Sequence, residues 1–175
     1  MSTSAAVKTS GLRQRYAIAG GVGGVISLLI MLSGCSVPGF NAITWKTYSN
    51  SRYGFEFPYP SSWTSLPPPE NDDGIAFVSP QNNTVEIRGW AGNRLPESID
   101  KDAKKTINSN FKTAQGVSGV LVVEVGSKVS LMTLSISQSK VKYNWQGRSP
   151  SEDFQDYYRV FYYIAQQYRI TSPES

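Results

Sequence analysis

Cys35 is the one cysteine of the chain, and Leu32, Ser33 and Gly34 stand directly before it at the end of an apolar run. Small residues ahead of a thiol let the chain be gripped around a modified sulfur at a membrane surface. The reaction this spacing suits is a thioether bond to diacylglycerol, with cleavage before Cys35. A lone thiol forms no internal disulfide, and beside a cleavage box it reads as a lipid site rather than a nucleophile. The chain contains no histidine. Ser-His-Asp and Cys-His catalysis, and the common zinc and iron sites, therefore have no imidazole to use. Ser-Lys hydrolysis and carboxylate-pair hydrolysis survive that exclusion, but both need an arrangement in space that spacing along the chain does not define.

The segment that presents Cys35 has three zones. Lys8, Arg13 and Arg15 form a basic start with no acid before Cys35, which favours a cytoplasmic N-terminus. Residues 17–31 are uncharged and mostly apolar, and Leu32-Ser33-Gly34-Cys35 supplies the box. In that order the segment resembles a bacterial lipoprotein signal. The alternative is a permanent single-pass helix with Gly20 and Gly24 at small-xxx-small spacing. The uncharged run from Tyr16 reaches the ~20 residues of a span only by taking in the whole Leu32-Ser33-Gly34-Cys35 box, and the four glycines at 20, 21, 23 and 24 weaken that helix. Either way the remaining chain lies on the extracytoplasmic side. The expected organisation is a signal peptide at 1–34, a lipidated tether at 35–43, one domain at 44–171 and a short tail at 172–175.

Cleavage before Cys35 leaves 141 of the 175 residues, enough for a single domain with a real core. The net charge of +4 belongs mostly to the signal: without Lys8, Arg13 and Arg15, 14 basic residues face 13 acidic ones. A nucleic-acid surface is not indicated. Palmitate-type acyl chains, two or three together, would hold Cys35 firmly where one chain binds only marginally.

The elements behind the anchor follow from periodicity. Residues 44–48 and 53–57 alternate and carry β-formers, so they read as two strands, the second ended by Pro58 and Pro60. Trp63 and a proline-led loop, Pro67-Pro68-Pro69 to Asp73, come next. Residues 75–79 and 84–88 flank the polar turn Pro80-Gln81-Asn82-Asn83 and read as a hairpin. Ile99, Ala103, Ile107 and Phe111 fall four residues apart among lysines and an aspartate, which predicts an amphipathic helix over 97–111. Strands are expected at 120–125, 129–137 and 140–146. Ser149 and Glu152 at capping-box spacing, with Pro150 between them, predict the start of a closing helix. Its stripe is Phe154, Tyr157, Tyr158, Phe161, Ile164, Ala165 and Tyr168. Two helices and six or seven hairpin-joined strands describe an α+β domain with a mainly antiparallel sheet.

Tyr53-Gly54-Phe55-Glu56-Phe57-Pro58-Tyr59-Pro60 followed by Trp63 resembles the opening signature of PsbP-like and DcrB-like proteins. The closing run, Tyr158-Arg159-Val160-Phe161 through Ile164-Ala165 to Tyr168-Arg169-Ile170, is similar to the C-terminal helix of that superfamily. The resemblance covers residues 44–171 and implies an α-β-α sandwich with a non-enzymatic role. It implies either a cell-envelope lipoprotein or a photosystem II-associated protein on the thylakoid lumenal side. Histidine-dependent metal binding in that family has no counterpart here.

Binding is therefore the expected activity: an accessory domain, lipid-anchored through Cys35, for a membrane-protein complex, with no catalytic residue, metal or other cofactor of its own. A cell-wall glycan binder and a His-free hydrolase are the alternatives. Arg88, Trp90 and Arg94 at the exit of the hairpin are the expected exposed recognition patch. Glu70, Asp72 and Asp73 could offer oxygens to Ca²⁺ but lack EF-hand spacing and read as a solvated loop. Glu152, Asp153 and Asp156 read as helix-start charges. Seven large aromatics (Trp45, Tyr48, Tyr53, Tyr59, Trp63, Trp90 and Trp145) read mainly as core, because alternation points many of them inward.

Overall fold

A computed structural model describes residues 43–92, 96, 98–99 and 101–171. All of these fall in the compact unit 39–175. The expected signal peptide with its cleavage-box residues Leu32, Ser33, Gly34 and Cys35, together with Arg94 and the tail 172–175, lies outside the described residues. Among the described residues no helix is long and apolar enough to cross a membrane.

Ten strands and one helix are present among the described residues: β1 Trp45–Asn50, β2 Phe55–Pro60, β3 Thr64–Ser65, β4 Gly74–Val78, β5 Glu86–Ala91, β6 Lys104–Lys112, β7 Ser118–Val125, β8 Val129–Gln138, β9 Val141–Pro150, α1 Phe154–Gln167 and β10 Arg169–Ile170. They form a seven-stranded sheet ordered β3-β4-β5-β9-β8-β7-β6 and a three-stranded sheet ordered β1-β2-β10. Every pairing is antiparallel. The α+β class with a mainly antiparallel sheet is thus present, with one helix among the described residues.

The core lies between one face of the large sheet and the layer made by α1 and the small sheet. Ile87, Met132, Leu134, Ile136, Tyr143 and Trp145 point into it from the large sheet. Phe55, Phe57, Phe161, Ile164 and Tyr168 fill it from the other layer. Two glycines permit the close approach. A Cβ on Gly89 would lie 2.3 Å from the Phe57 ring, and one on Gly147 would lie 2.7 Å from the Phe161 ring. Each ring therefore sits directly on the backbone of the sheet, and burying such a side chain contributes about 2–3 kcal/mol.

Three expectations need correction. The described residues of the segment 97–111 are not helical: residues 104–112 form β6, the edge strand of the large sheet. Its registers with β7 shift by one between Asn108 and Phe111. The extra residue turns Ile107 and Phe111 to opposite faces, which leaves Ile107 64% exposed and Phe111 3% exposed. Their four-residue spacing was helical only on paper. Lysines 104, 105 and 112 on this edge also discourage pairing with another chain.

The closing helix begins later than the capping box suggests. Ser149 and Pro150 still belong to β9, where Pro150 pairs with Val129 at the end of the ladder and needs no N–H. Helix α1 starts at Phe154 after Asp153, whose side chain makes no capping bond but accepts one from Asn82 Nδ2 at 3.0 Å. Finally, β2 runs through Pro58 and Pro60 instead of stopping before them. Ser61 N–H donates to Thr44 O, so odd-numbered residues of β2 point their N–H groups at β1. Both prolines face the other side, where β10 reaches only Phe55 and Glu56.

Candidate functional site

Arg88 and Trp90, two of the residues singled out around the hairpin, border the same concavity. The proline loop and the β4–β5 pair enclose a pocket of about 190 Å³, lined by Leu66, Pro67, Pro69, Asp73, Arg88 and Trp90 among others. That volume falls below the ~300 Å³ at which small-molecule sites begin, and suits one protruding side chain. Arg88 places its guanidinium 2.8 Å from the Glu86 carboxylate, both side chains being partly exposed. Trp90 is 3% exposed and is therefore pocket wall rather than surface, which corrects the expected exposed patch. The reason is tertiary: the proline loop comes over this face of β5, where Leu66, Pro67, Pro69 and Asp73 share the pocket with Trp90.

The loop beside the pocket is fixed by its own polar groups. Asn50 Nδ2 donates to Asp72 O at 3.0 Å, the Arg52 guanidinium donates to Asn71 O, and Asn71 Nδ2 donates to Asp73 Oδ2 at 2.9 Å. Ala91 N–H donates to Asp73 O. Asp72 adopts φ 47°, a left-handed conformation that Asp tolerates in turns. Asp72 and Asp73 are thus held as loop structure, and Glu70 is exposed. Among the described residues no group of three His, Cys, Asp or Glu side chains comes together as a metal site.

Arg88 and Trp90 belong to a polar face on the far side of the large sheet from the core. The register sets Glu86, Arg88 and Trp90 of β5 opposite Arg148, Gln146 and Asn144 of β9. These in turn oppose Leu131, Thr133 and Ser135 of β8. Gln146 Nε2 donates to Thr133 Oγ1 at 2.9 Å, and Ser135 Oγ donates to Asn144 Oδ1 at 3.0 Å. Asn144 is 4% exposed, and its Nδ2 finds no partner.

Farther along this face the structure brings together a serine, a lysine and a glutamate that sequence reasoning did not single out. Ser98 Oγ donates to Glu124 Oε1 at 2.9 Å, and Lys105 Nζ donates to Ser98 Oγ at 3.2 Å. Lys105 also pairs with the Glu124 carboxylate, which is nearly buried. The group borders a cavity of about 500 Å³ lined by Ser98, Lys101, Ser127 and Lys128 among others. This is the spatial pattern that Ser-Lys chemistry calls for, with the wrong electrostatics. A general-base lysine must shed its proton in a desolvated site, whereas this ammonium is committed to a carboxylate. The Ser98 hydroxyl donates its hydrogen bond to Glu124, whose charge is paired with Lys105. The β6–β7 register sets Lys105 opposite Glu124, Ser98 reaches the pair from outside β6, 26 positions before Glu124, and no local signal announces the group.

The large aromatics mostly fill the interior. Trp63, Trp90 and Trp145 are buried at 9%, 3% and 0% exposure, and Trp45, Tyr48, Tyr53 and Tyr59 pack partly buried against the core. Among the described residues the exposed aromatics lie instead on α1: Tyr158, Tyr162 and Tyr163, each more than one-third exposed. Tyr158 therefore leaves the inward stripe in which its spacing placed it.

No protein-family model matches the chain, and no curated protein does. Among solved structures it is similar to the solution structure of cyanobacterial PsbP (CyanoP) from Synechocystis sp. PCC 6803. The two are 13% identical over 79% of this chain and 98% of that one, with a TM-score of 0.49.

Proposed function

We propose that the chain is an extracytoplasmic accessory protein that is held on a membrane by acylated Cys35, binds a membrane-protein partner and carries out no reaction of its own. The observation that supports this most directly is the pocket at Arg88. Its volume of about 190 Å³ takes one side chain, its walls are proline and tryptophan, and its rim carries a guanidinium whose carboxylate partner sits 2.8 Å away. A partner offering an acidic or amide side chain can share that guanidinium with Glu86. Lipid attachment confines the domain to the membrane plane and raises its effective concentration for such a partner. The glycan reading has less support, since three of the four tryptophans are buried. The hydrolase reading loses its base to the Lys105–Glu124 pair.

The test is mild crosslinking of the tagged, membrane-extracted full chain, with mass spectrometry identifying bound proteins and reading acylation of Cys35 in the same sample. Wild-type protein should recover a defined set of membrane proteins that Arg88→Glu loses while keeping its thermal stability. Recovery of photosystem subunits would place the protein in the thylakoid lumen, and transport or envelope subunits at the cell envelope. An identical set from wild type and Arg88→Glu rules out the pocket as the contact, and an unmodified Cys35 rules out the anchor.

A further inference from the structure

Helix α1 buries Phe154, Val160, Phe161, Ile164 and Ala165, yet its outer face is also aromatic. Tyr158, Tyr162 and Tyr163 are 36%, 36% and 39% exposed. The rings of Tyr158 and Tyr162 lie nearly parallel with centroids 6.2 Å apart, and Tyr162 meets Phe111 edge-on at 6.0 Å. Around them the face carries Gln155, Arg159 and Gln166, and the only acid within the helix is Asp156 in its first turn. Three half-exposed phenols among neutral amides and one guanidinium make a face with an apolar body and polar tips. That is the composition that settles at the boundary between lipid headgroups and acyl chains.

The course of the chain gives this face its occupant. Ile43 and Thr44 share a cavity of about 350 Å³ with Tyr157 and Val160 of α1, and Trp45 packs on Tyr163 with ring centroids 4.6 Å apart. The chain thus enters the fold alongside the helix that carries the tyrosines. Cys35 precedes Ile43 by eight residues, which fully stretched span at most about 28 Å, short of the roughly 35 Å width of a domain this size. A tether shorter than the domain is wide brings the face beside its attachment point to the bilayer and keeps the opposite side away.

We infer that the outer face of α1, with Tyr158, Tyr162, Tyr163 and Trp45, lies in the headgroup layer of the bilayer that holds the Cys35 lipid and orients the domain on it. This rests on the anchor of the proposed function and adds a second, non-covalent contact with the same membrane. The tyrosines bury their rings beside the upper acyl carbons and turn their hydroxyls to phosphate and ester oxygens, with Arg159 available to a phosphate.

The experiment reconstitutes the acylated full chain into vesicles of phosphatidylethanolamine and phosphatidylglycerol, with or without bromine on the upper acyl carbons. It reads flotation and tryptophan emission together. Trp63, Trp90 and Trp145 are buried, so the Trp45→Phe protein supplies the background to subtract. The Trp45 signal should fall roughly twofold in brominated vesicles, as expected for a group at the headgroup–acyl boundary. The loss should disappear in the Tyr158→Ser/Tyr162→Ser/Tyr163→Ser protein, which should still float. The single Tyr158→Ser protein, which leaves Trp45 and Phe111 their ring partners, should give an intermediate loss. Wild-type protein that floats with unquenched Trp45 overturns the docking and leaves the anchor standing. Failure to float removes the anchor and the docking with it. Equal quenching in wild type and triple variant shows that the tyrosines are not the contact. If Trp45 is unquenched and the triple variant instead loses a co-purifying protein, the face is a protein interface and the lipid assignment is wrong.

Discussion

Replacing Tyr168 by Phe should make this protein more stable, and more so as the solution becomes alkaline. Tyr168 is 1% exposed, and its ring lies nearly parallel to those of Phe55 and Phe57 with centroids 5.8 and 6.2 Å away. Phenylalanine keeps all of that contact. The hydroxyl, in contrast, is buried with no hydrogen-bond partner, and an unpaired buried hydroxyl costs about 1–3 kcal/mol. Its removal should therefore stabilise the fold by about 1–2 kcal/mol near neutral pH, an increase of roughly 3–6 °C in Tm for a domain this size. Burial first, then the neighbouring Tyr143 and Tyr48, hold the phenol well above its ordinary value of 10.0. The protonated form is thus favoured in the folded state. Its contribution is fully present below the unfolded value and is lost as pH rises above about 10 toward the folded one. Wild type should lose this increment between neutral and strongly alkaline pH while Tyr168→Phe does not, so the gap between them widens. Urea unfolding of both proteins at neutral pH and above pH 10 measures it. A variant less stable than wild type at neutral pH would refute the reasoning by showing that the hydroxyl has a partner, and a gap that stays constant with pH would refute it by showing that the phenol ionises as readily in the folded as in the unfolded chain.

Gly89→Ala places a Cβ 2.3 Å from the Phe57 ring and must push the small sheet off the large one. A loss of about 2–4 kcal/mol is expected by urea unfolding, with recovery of part of it in Gly89→Ala/Phe57→Leu. Lys105→Met leaves the nearly buried Glu124 carboxylate with only the Ser98 hydroxyl. Since the lysine side chain is itself 40% exposed, the cost should be about 2 kcal/mol rather than the full penalty of a buried pair. Lys105→Met/Glu124→Gln should regain most of that stability. A double variant no better than the single one would mean that packing, not charge, was lost.

The placement of the strands was legible because hairpins pair neighbours in sequence. Residues 75–79 and 84–88 alternate around a polar turn, and the structure pairs β4 with β5 there; β7, β8 and β9 likewise lie within a few residues of the expected bounds. The Pro150 signal misled because a proline fits the first turn of a helix and the last position of a strand equally well, and only the pairing with Val129 decides between them. Arg88 could be picked out beside the hairpin, but its pocket could not, since Leu66, Pro67 and Pro69 reach it from a loop about twenty residues earlier.

Residue types and local order by themselves settled the chemistry this chain lacks, with no imidazole anywhere, and set out the succession of its hairpins, since both depend on composition and near neighbours. Tertiary structure alone decided which face each residue occupies. The one-residue bulge in β6 separates Ile107 from Phe111, the proline loop over β5 buries Trp90, and the β6–β7 register gathers Lys105 and Glu124 under Ser98. Side-chain direction in a strand reverses with every residue, so a single shift of register set by a distant partner rewrites a surface that periodicity alone cannot assign.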